Sequence, residues 1–177
     1  SSTYGPSTIS ITKPTAGTYT KPVRTYTVKG FTKSATRNSD GAVISSYSDL
    51  TSTYTFDGWS TSSTGGNVVI SNADTPAFVA SVSGYTDASG NWAKAGGTTL
   101  YAKWSEGDVQ LPTITKAGYT CGWTTSSTGT TVTYASGETI YPTATTTLYA
   151  VCESNTFTLT FNANSGTVSP TTKQVTY

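Results

Sequence analysis

The sequence predicts an all-β fold with room for one short helix, and three observations lead there. The first is composition. About 40 threonines and 12 tyrosines fill the chain, and such residues suit a pleated, half-buried surface. Runs of strong helix formers are scarce. The second is periodicity, in which apolar and polar residues alternate over short runs bounded by Gly, Pro, Asn and Asp. The third is an internal repeat. Tyr54-Thr55-Phe56-Asp57-Gly58-Trp59 and Thr99-Leu100-Tyr101-Ala102-Lys103-Trp104 return as Tyr119-Thr120-Cys121-Gly122-Trp123 and Thr147-Leu148-Tyr149-Ala150-Val151-Cys152. Thr-Ser-Ser-Thr-Gly follows each opening Trp, at 61–65 and at 125–129. A repeated unit governs the fold before any single element does.

Bulk properties exclude several classes. The net charge is +1 and only 11% of residues are charged, well below the usual quarter or so. No basic face is available for nucleic acid, and no apolar run reaches the ~20 residues a membrane helix needs. Low charge with many aromatic residues also argues against disorder. The chain opens on Ser1 without an initiator Met or a signal-peptide pattern. It reads as a processed product or an excised segment.

The elements follow in order. Residues 1–24 form an N-terminal arm in which Ile9–Thr12 alternates as a strand until Pro14 and Gly17 break it. Residues 25–35 form a strand with Tyr26, Val28 and Phe31 near one face and Gly30 at a bulge. Asn38-Ser39-Asp40-Gly41 is a turn, because Asp-Gly tolerates the positive φ of a tight reversal. Ala42–Tyr47 resumes a strand. Tyr54–Trp59 is the next, and it closes against Leu100–Trp104. About 40 residues separate Trp59 from Leu100, against about 25 between Trp123 and Leu148. The first module, 25–104, therefore carries an insertion near 81–97, expected as a surface loop. Pro76 suits the first turn of a short helix within 72–82. Residues 105–108 link to the second module, 105–177. Thr156–Asn162 alternates, with Phe157, Leu159 and Phe161 on one face. Asn164-Ser165-Gly166 is a turn, and 173–177 is a last strand.

These residues resemble the Listeria–Bacteroides repeat, also called the internalin B-type B repeat. The resemblance rests on Tyr54–Trp59, Leu100–Trp104, Leu111-Pro112 with Gly118-Tyr119-Thr120, and the opening strand and turn Phe157–Gly166. It implies small β-grasp-like modules in tandem on secreted or surface-anchored bacterial proteins, acting as stalks, spacers or interaction surfaces. It brings no catalytic residues. The order of the halves departs from a whole repeat. The segment 109–152 lacks an opening half before it, while 156–177 is an opening half with nothing after it. Three arrangements are open: 156–177 completes 109–152 in the same chain, it completes a neighbouring copy by strand exchange, or the chain is cut mid-repeat. Phe157, Leu159, Phe161, Val175 and Tyr177 are the candidate exchange residues. Unpaired alternating strands favour pairing over a free tail.

Aligning the two modules sets Cys152 at the place of Trp104, and Cys121 at Phe56 or Asp57. A disulfide follows, which favours an extracytoplasmic setting; the alternative is a pair of small buried hydrophobes. The core aromatic and aliphatic positions of the repeats are Tyr54, Phe56, Trp59, Leu100, Tyr101, Trp104, Tyr119, Trp123, Leu148 and Tyr149.

Catalytic chemistry finds little support. There is no His, which removes His-based triads and the commonest zinc ligand. The scattered carboxylates, such as Glu138 with Glu153 or Asp57 with Asp74, have no sequence reason to pair as in a glycosidase. Asp87–Asn91 has oxygen atoms at calcium-like spacing but lacks the later carboxylates, so it reads as a turn. No cofactor motif or metal set is present. The expected function is that of a non-enzymatic extracellular structural repeat protein of a bacterial surface: a stalk, surface layer or filament subunit. Its expected partners are other copies of itself or neighbouring repeats. The alternative is an adhesin that binds a glycan or host protein through the insertion, with Tyr85 and Trp92 as candidate contacts.

Overall fold

The computed structural model describes residues 15–17, 20–32 and 40–177. Ile9–Thr12, Asn38 and Ser39 lie outside the described residues, so the expectations placed on them stay there. Among the described residues, fifteen strands follow in chain order. They are β1 (Thr25–Lys29), β2 (Val43–Ile44), β3 (Leu50–Thr53), β4 (Thr55–Ser60) and β5 (Val68–Ser71). Next come β6 (Tyr101–Ser105), β7 (Val109–Gln110), β8 (Ile114–Thr115), β9 (Tyr119–Thr124) and β10 (Tyr134–Ala135). The last are β11 (Thr139–Ile140), β12 (Thr146–Thr147), β13 (Tyr149–Ser154), β14 (Thr156–Thr160) and β15 (Thr172–Thr176). The fold is all-β, and no helix occurs among the described residues.

The expected helix within 72–82 is replaced by chain running back along β5. Ser71 N donates to Ala77 O, Val79 N donates to Val69 O, and Ile70 bridges Phe78. A strand edge offers partners to every second backbone group, and that outweighs the helix-start preference of Pro76.

Two units divide the chain. The first unit is built on Tyr54–Glu106 and takes in residues up to Arg24. The second joins Thr25–Thr53 to Gly107–Tyr177. This division departs from the modules expected at 25–104 and 105–177. Residues 25–53 supply an opening half to 107–154, a role that the sequence left open for 156–177 as one of three arrangements.

In the first unit, β4 lies between β5 and β6, antiparallel to both. Phe56 faces Trp104, Trp59 faces Ala102 and Ser60 faces Tyr101, with Asp57 set out of register as a bulge. Phe56 packs edge-on against both Trp59 and Trp104, at 5.6 and 5.5 Å between centroids. Tyr101 was expected among the core positions, yet it is exposed. It opens β6, where Ala102 and Trp104 are the partly buried positions, so period-two alternation turns Tyr101 to the exposed face.

In the second unit, β9 lies between β10 and β13. Its register against β13 repeats that of the first unit: Cys121 faces Cys152, Trp123 faces Ala150 and Thr124 faces Tyr149. The opening half docks through β1, which pairs antiparallel with β3 and parallel with β12. The short β2 pairs with β8, and β7 pairs with β11. Val28, at 0% exposure, and Phe31, at 1%, share one core with Leu111, Ile114, Trp123, Leu148 and Cys152. Phe31 meets Trp123 edge-on at 4.9 Å. The Trp123 indole Nε1–H donates to Pro112 O at 3.0 Å, which satisfies the ring's polar edge inside the core. β14 and β15 make a separate hairpin.

Candidate functional site

The sequence singled out four places: the cysteine pair, the carboxylates, the insertion and the terminal hairpin. Cys121 and Cys152 stand directly opposite on β9 and β13 and form a disulfide, with Cα atoms 4.0 Å apart. The register resolves the alignment. Cys121 takes the place of Phe56, and Asp57 is the bulged extra residue. A covalent bond in the second unit thus stands where an aromatic pair stands in the first.

The carboxylates are engaged locally. Glu138 accepts the Ala135 N–H, Glu153 accepts the Val132 N–H, and Asp57 accepts the Ser105 hydroxyl. Asp74 pairs with Lys21 at 2.8 Å, and that ammonium holds its carboxyl below the usual range. Asp74 lies on the surface, where such a pair contributes little to stability. Asp87 accepts the N–H groups of Ser89 and Asn91. These bonds turn the calcium-like spacing into an Asx-type turn. No group of three metal-ligating side chains occurs among the described residues.

The insertion folds onto the first unit's sheet. Trp92 packs on Phe78 at 5.4 Å and on Tyr85 at 6.0 Å, and the Lys94 ammonium sits 4.8 Å over the Tyr85 ring. Thr86 ties the start of the loop, donating to Val79 O and accepting the Val82 N–H. Beside Trp92 opens an apolar groove of ≈ 300 Å³, lined by Ile70, Phe78, Trp92, Thr98 and Leu100 among others. Composition marked Tyr85 and Trp92. It did not mark Phe78, whose approach depends on the return of 72–79 along β5, and the repeat marked Leu100 only as a core position.

The hairpin of β14 and β15 carries the candidate exchange residues. Phe157, Leu159 and Phe161 are 50%, 45% and 43% exposed among the described residues. Val175, opposite Phe157, is half-buried. Tyr177 holds the base of the hairpin. Its ring lies against Gly118 and 5.6 Å from Tyr119, and its N–H donates to Asn155 O.

Comparison with known families gives two matches to the Listeria-Bacteroides repeat domain, over residues 24–80 and 105–151. No curated protein and no solved structure matches the chain. The first match spans the opening half held in the second unit and continues into the first unit. Two matches that cover more than half of the sequence, with strand registers that correspond apart from the bulge at Asp57, place the chain in the Listeria-Bacteroides repeat family.

Proposed function

We propose that this chain is a non-enzymatic structural segment of a bacterial surface protein, serving as a stalk, surface layer or filament subunit. The observation that carries this reading is the disulfide of Cys121 and Cys152 between the two central strands of a repeat module. Disulfides persist in oxidising compartments and staple modules whose cores are small. The surrounding design suits the same role. Exposed strand faces are dressed with threonine rather than charge, and the carboxylates serve turns and loops.

Protease treatment of intact bacteria expressing the protein tests the reading. The expected result is cleavage of the chain without lysis, with Cys121 and Cys152 recovered as a disulfide. Protection from protease until lysis, with free thiols, would place the chain in the cytoplasm and contradict it.

A second reading, adhesion, is favoured by the apolar groove beside Trp92. Tyr85→Ala leaves Trp92 on Phe78 and removes one face of the aromatic pair. Adhesion that survives this change and Trp92→Ala would set the adhesin reading aside.

A further inference from the structure

The second unit shows, within this chain, what an opening hairpin docks on. The terminal hairpin is the same element in the same register. In the first hairpin Thr25 faces Thr53, Tyr26 faces Ser52 and Val28 faces Leu50. In the terminal one Thr156 faces Thr176, Phe157 faces Val175 and Leu159 faces Lys173. Each is closed by a following tyrosine: Tyr54 N–H donates to Arg24 O, and Tyr177 N–H donates to Asn155 O. Tyr26, Val28 and Phe31 thus correspond to Phe157, Leu159 and Phe161, with Gly30 an extra residue at positive φ. The difference between the hairpins is their neighbour. β1 lies between β3 and β12, whereas β14 pairs only with β15 among the described residues. Val28 and Phe31 are buried under the Trp123 and Leu148 core, and Phe157, Leu159 and Phe161 are left in solvent.

The segment that β14 lacks has one other counterpart in the sequence. Thr146-Thr147-Leu148, the partner of β1, corresponds to Thr98-Thr99-Leu100 in the first unit. Thr98 and Thr99 are exposed and belong to no strand. Leu100 is only half-buried where Leu148 is fully buried, and it lines the groove with Ile70, Phe78 and Trp92. Among the described residues, the terminal hairpin therefore meets no closing segment. The chain also carries a closing segment whose hairpin-binding edge is vacant among the described residues.

We propose that the terminal hairpin of one copy docks on the first unit of a second copy. β14 pairs in parallel with Thr98-Thr99 there, and Leu159 and Phe161 fill the Leu100–Trp92 groove. This deepens the structural reading and rests on it. The pairing repeats an interface already built once, between β1 and β12, so its register is fixed: Leu159 opposite Thr98, and Thr160 opposite Thr99. Addition of a strand to a sheet edge supplies backbone bonds, and the apolar face supplies specificity. The contact is heterologous, since donor and acceptor are different surfaces, so copies link head to tail, into a ring where the rotation closes and an open chain where it does not.

Cross-linking of full-length protein tests the register. Thr160→Cys and Thr99→Cys are prepared as separate variants, mixed and mildly oxidised. The expected product is a covalent heterodimer in the mixture and none in either variant alone. Cross-links between two Thr160→Cys chains, without the mixed product, would mean that hairpins pair with each other and would overturn the proposal. So would a monomeric mass at every concentration, or a monomer whose Trp92 fluorescence shifts with a glycan. Leu159→Asp, on an exposed position, should keep the circular dichroism of the parent. It should weaken association at least ~10-fold, because an apolar side chain of this size contributes at least one such step when buried. Unchanged association in that variant would also overturn the pairing. The protease experiment stands apart. Surface exposure of a strictly monomeric chain sinks the docking and leaves the structural role, whereas cytoplasmic retention sinks the role whatever the mass.

Discussion

One cross-strand position shows how the repeats trade one device for another. Phe56 against Trp104 in the first unit and Cys121 against Cys152 in the second occupy one register position. The aromatic pair contributes by area and edge-on geometry, whereas the disulfide restricts the unfolded chain. The bond spans 31 residues, so replacing both cysteines by Ser should cost the second unit about 3–4 kcal/mol. Denaturant unfolding with and without reductant measures that loss. Gly122, next to Cys121, makes a sharper case. A Cβ there would run into Tyr134 O and Val132 Cγ1, where β10 crosses closely over β9. Because one obstacle is backbone, Gly122→Ala should destabilise by about 2 kcal/mol or more. Gly97→Ala, which meets nothing within 4 Å, should be near neutral in the same titration. The cysteine pairing was legible in the sequence because the repeat alignment placed both thiols on facing strands. The crowding at Gly122 was not, because it depends on how closely a third strand approaches.

At the scale of elements, alternation and the internal repeat located β1, β4, β9, β13, β14 and β15, and for β1 alternation told which face is buried, through Val28. It did not tell which strand each meets. Period two fixes faces and leaves the partner open, and two hairpins of one pattern, 25–53 and 156–177, compete for the same closing half. The structure gives that place to 25–53, whose Val28 and Phe31 complete the core. Removal of 156–177 should therefore change the stability of the remaining fold by less than about 1 kcal/mol, since its large side chains lie in solvent. A chain truncated after Asn155 and unfolded in denaturant checks this. A loss of several kcal/mol would mean that the terminal hairpin completes 109–152 in the same chain, one of the three arrangements the sequence left open. The insertion was recognisable from the unequal gaps after the two tryptophans. Its folding onto β5 through Phe78 was not, because that contact is set by bridge pairing rather than by composition.

For the whole molecule, the sequence repeats and the folded units do not share boundaries. The first family match, 24–80, is divided between the units, and its opening half serves the second match. A chain that exchanges halves internally has the interface needed to exchange them between copies. Calorimetry should resolve two transitions of which only one responds to reductant, because the disulfide lies wholly within the second unit. The central claim is that residues 25–53 close the core around Trp123. A double-mutant cycle of Phe31→Leu and Trp123→Phe tests it most directly, since the two rings meet at 4.9 Å yet belong to different repeats. The account predicts a coupling energy of about 0.5–1.5 kcal/mol. Strict additivity of the two substitutions would mean that the opening half sits elsewhere, and it would contradict the fold on which the rest is built.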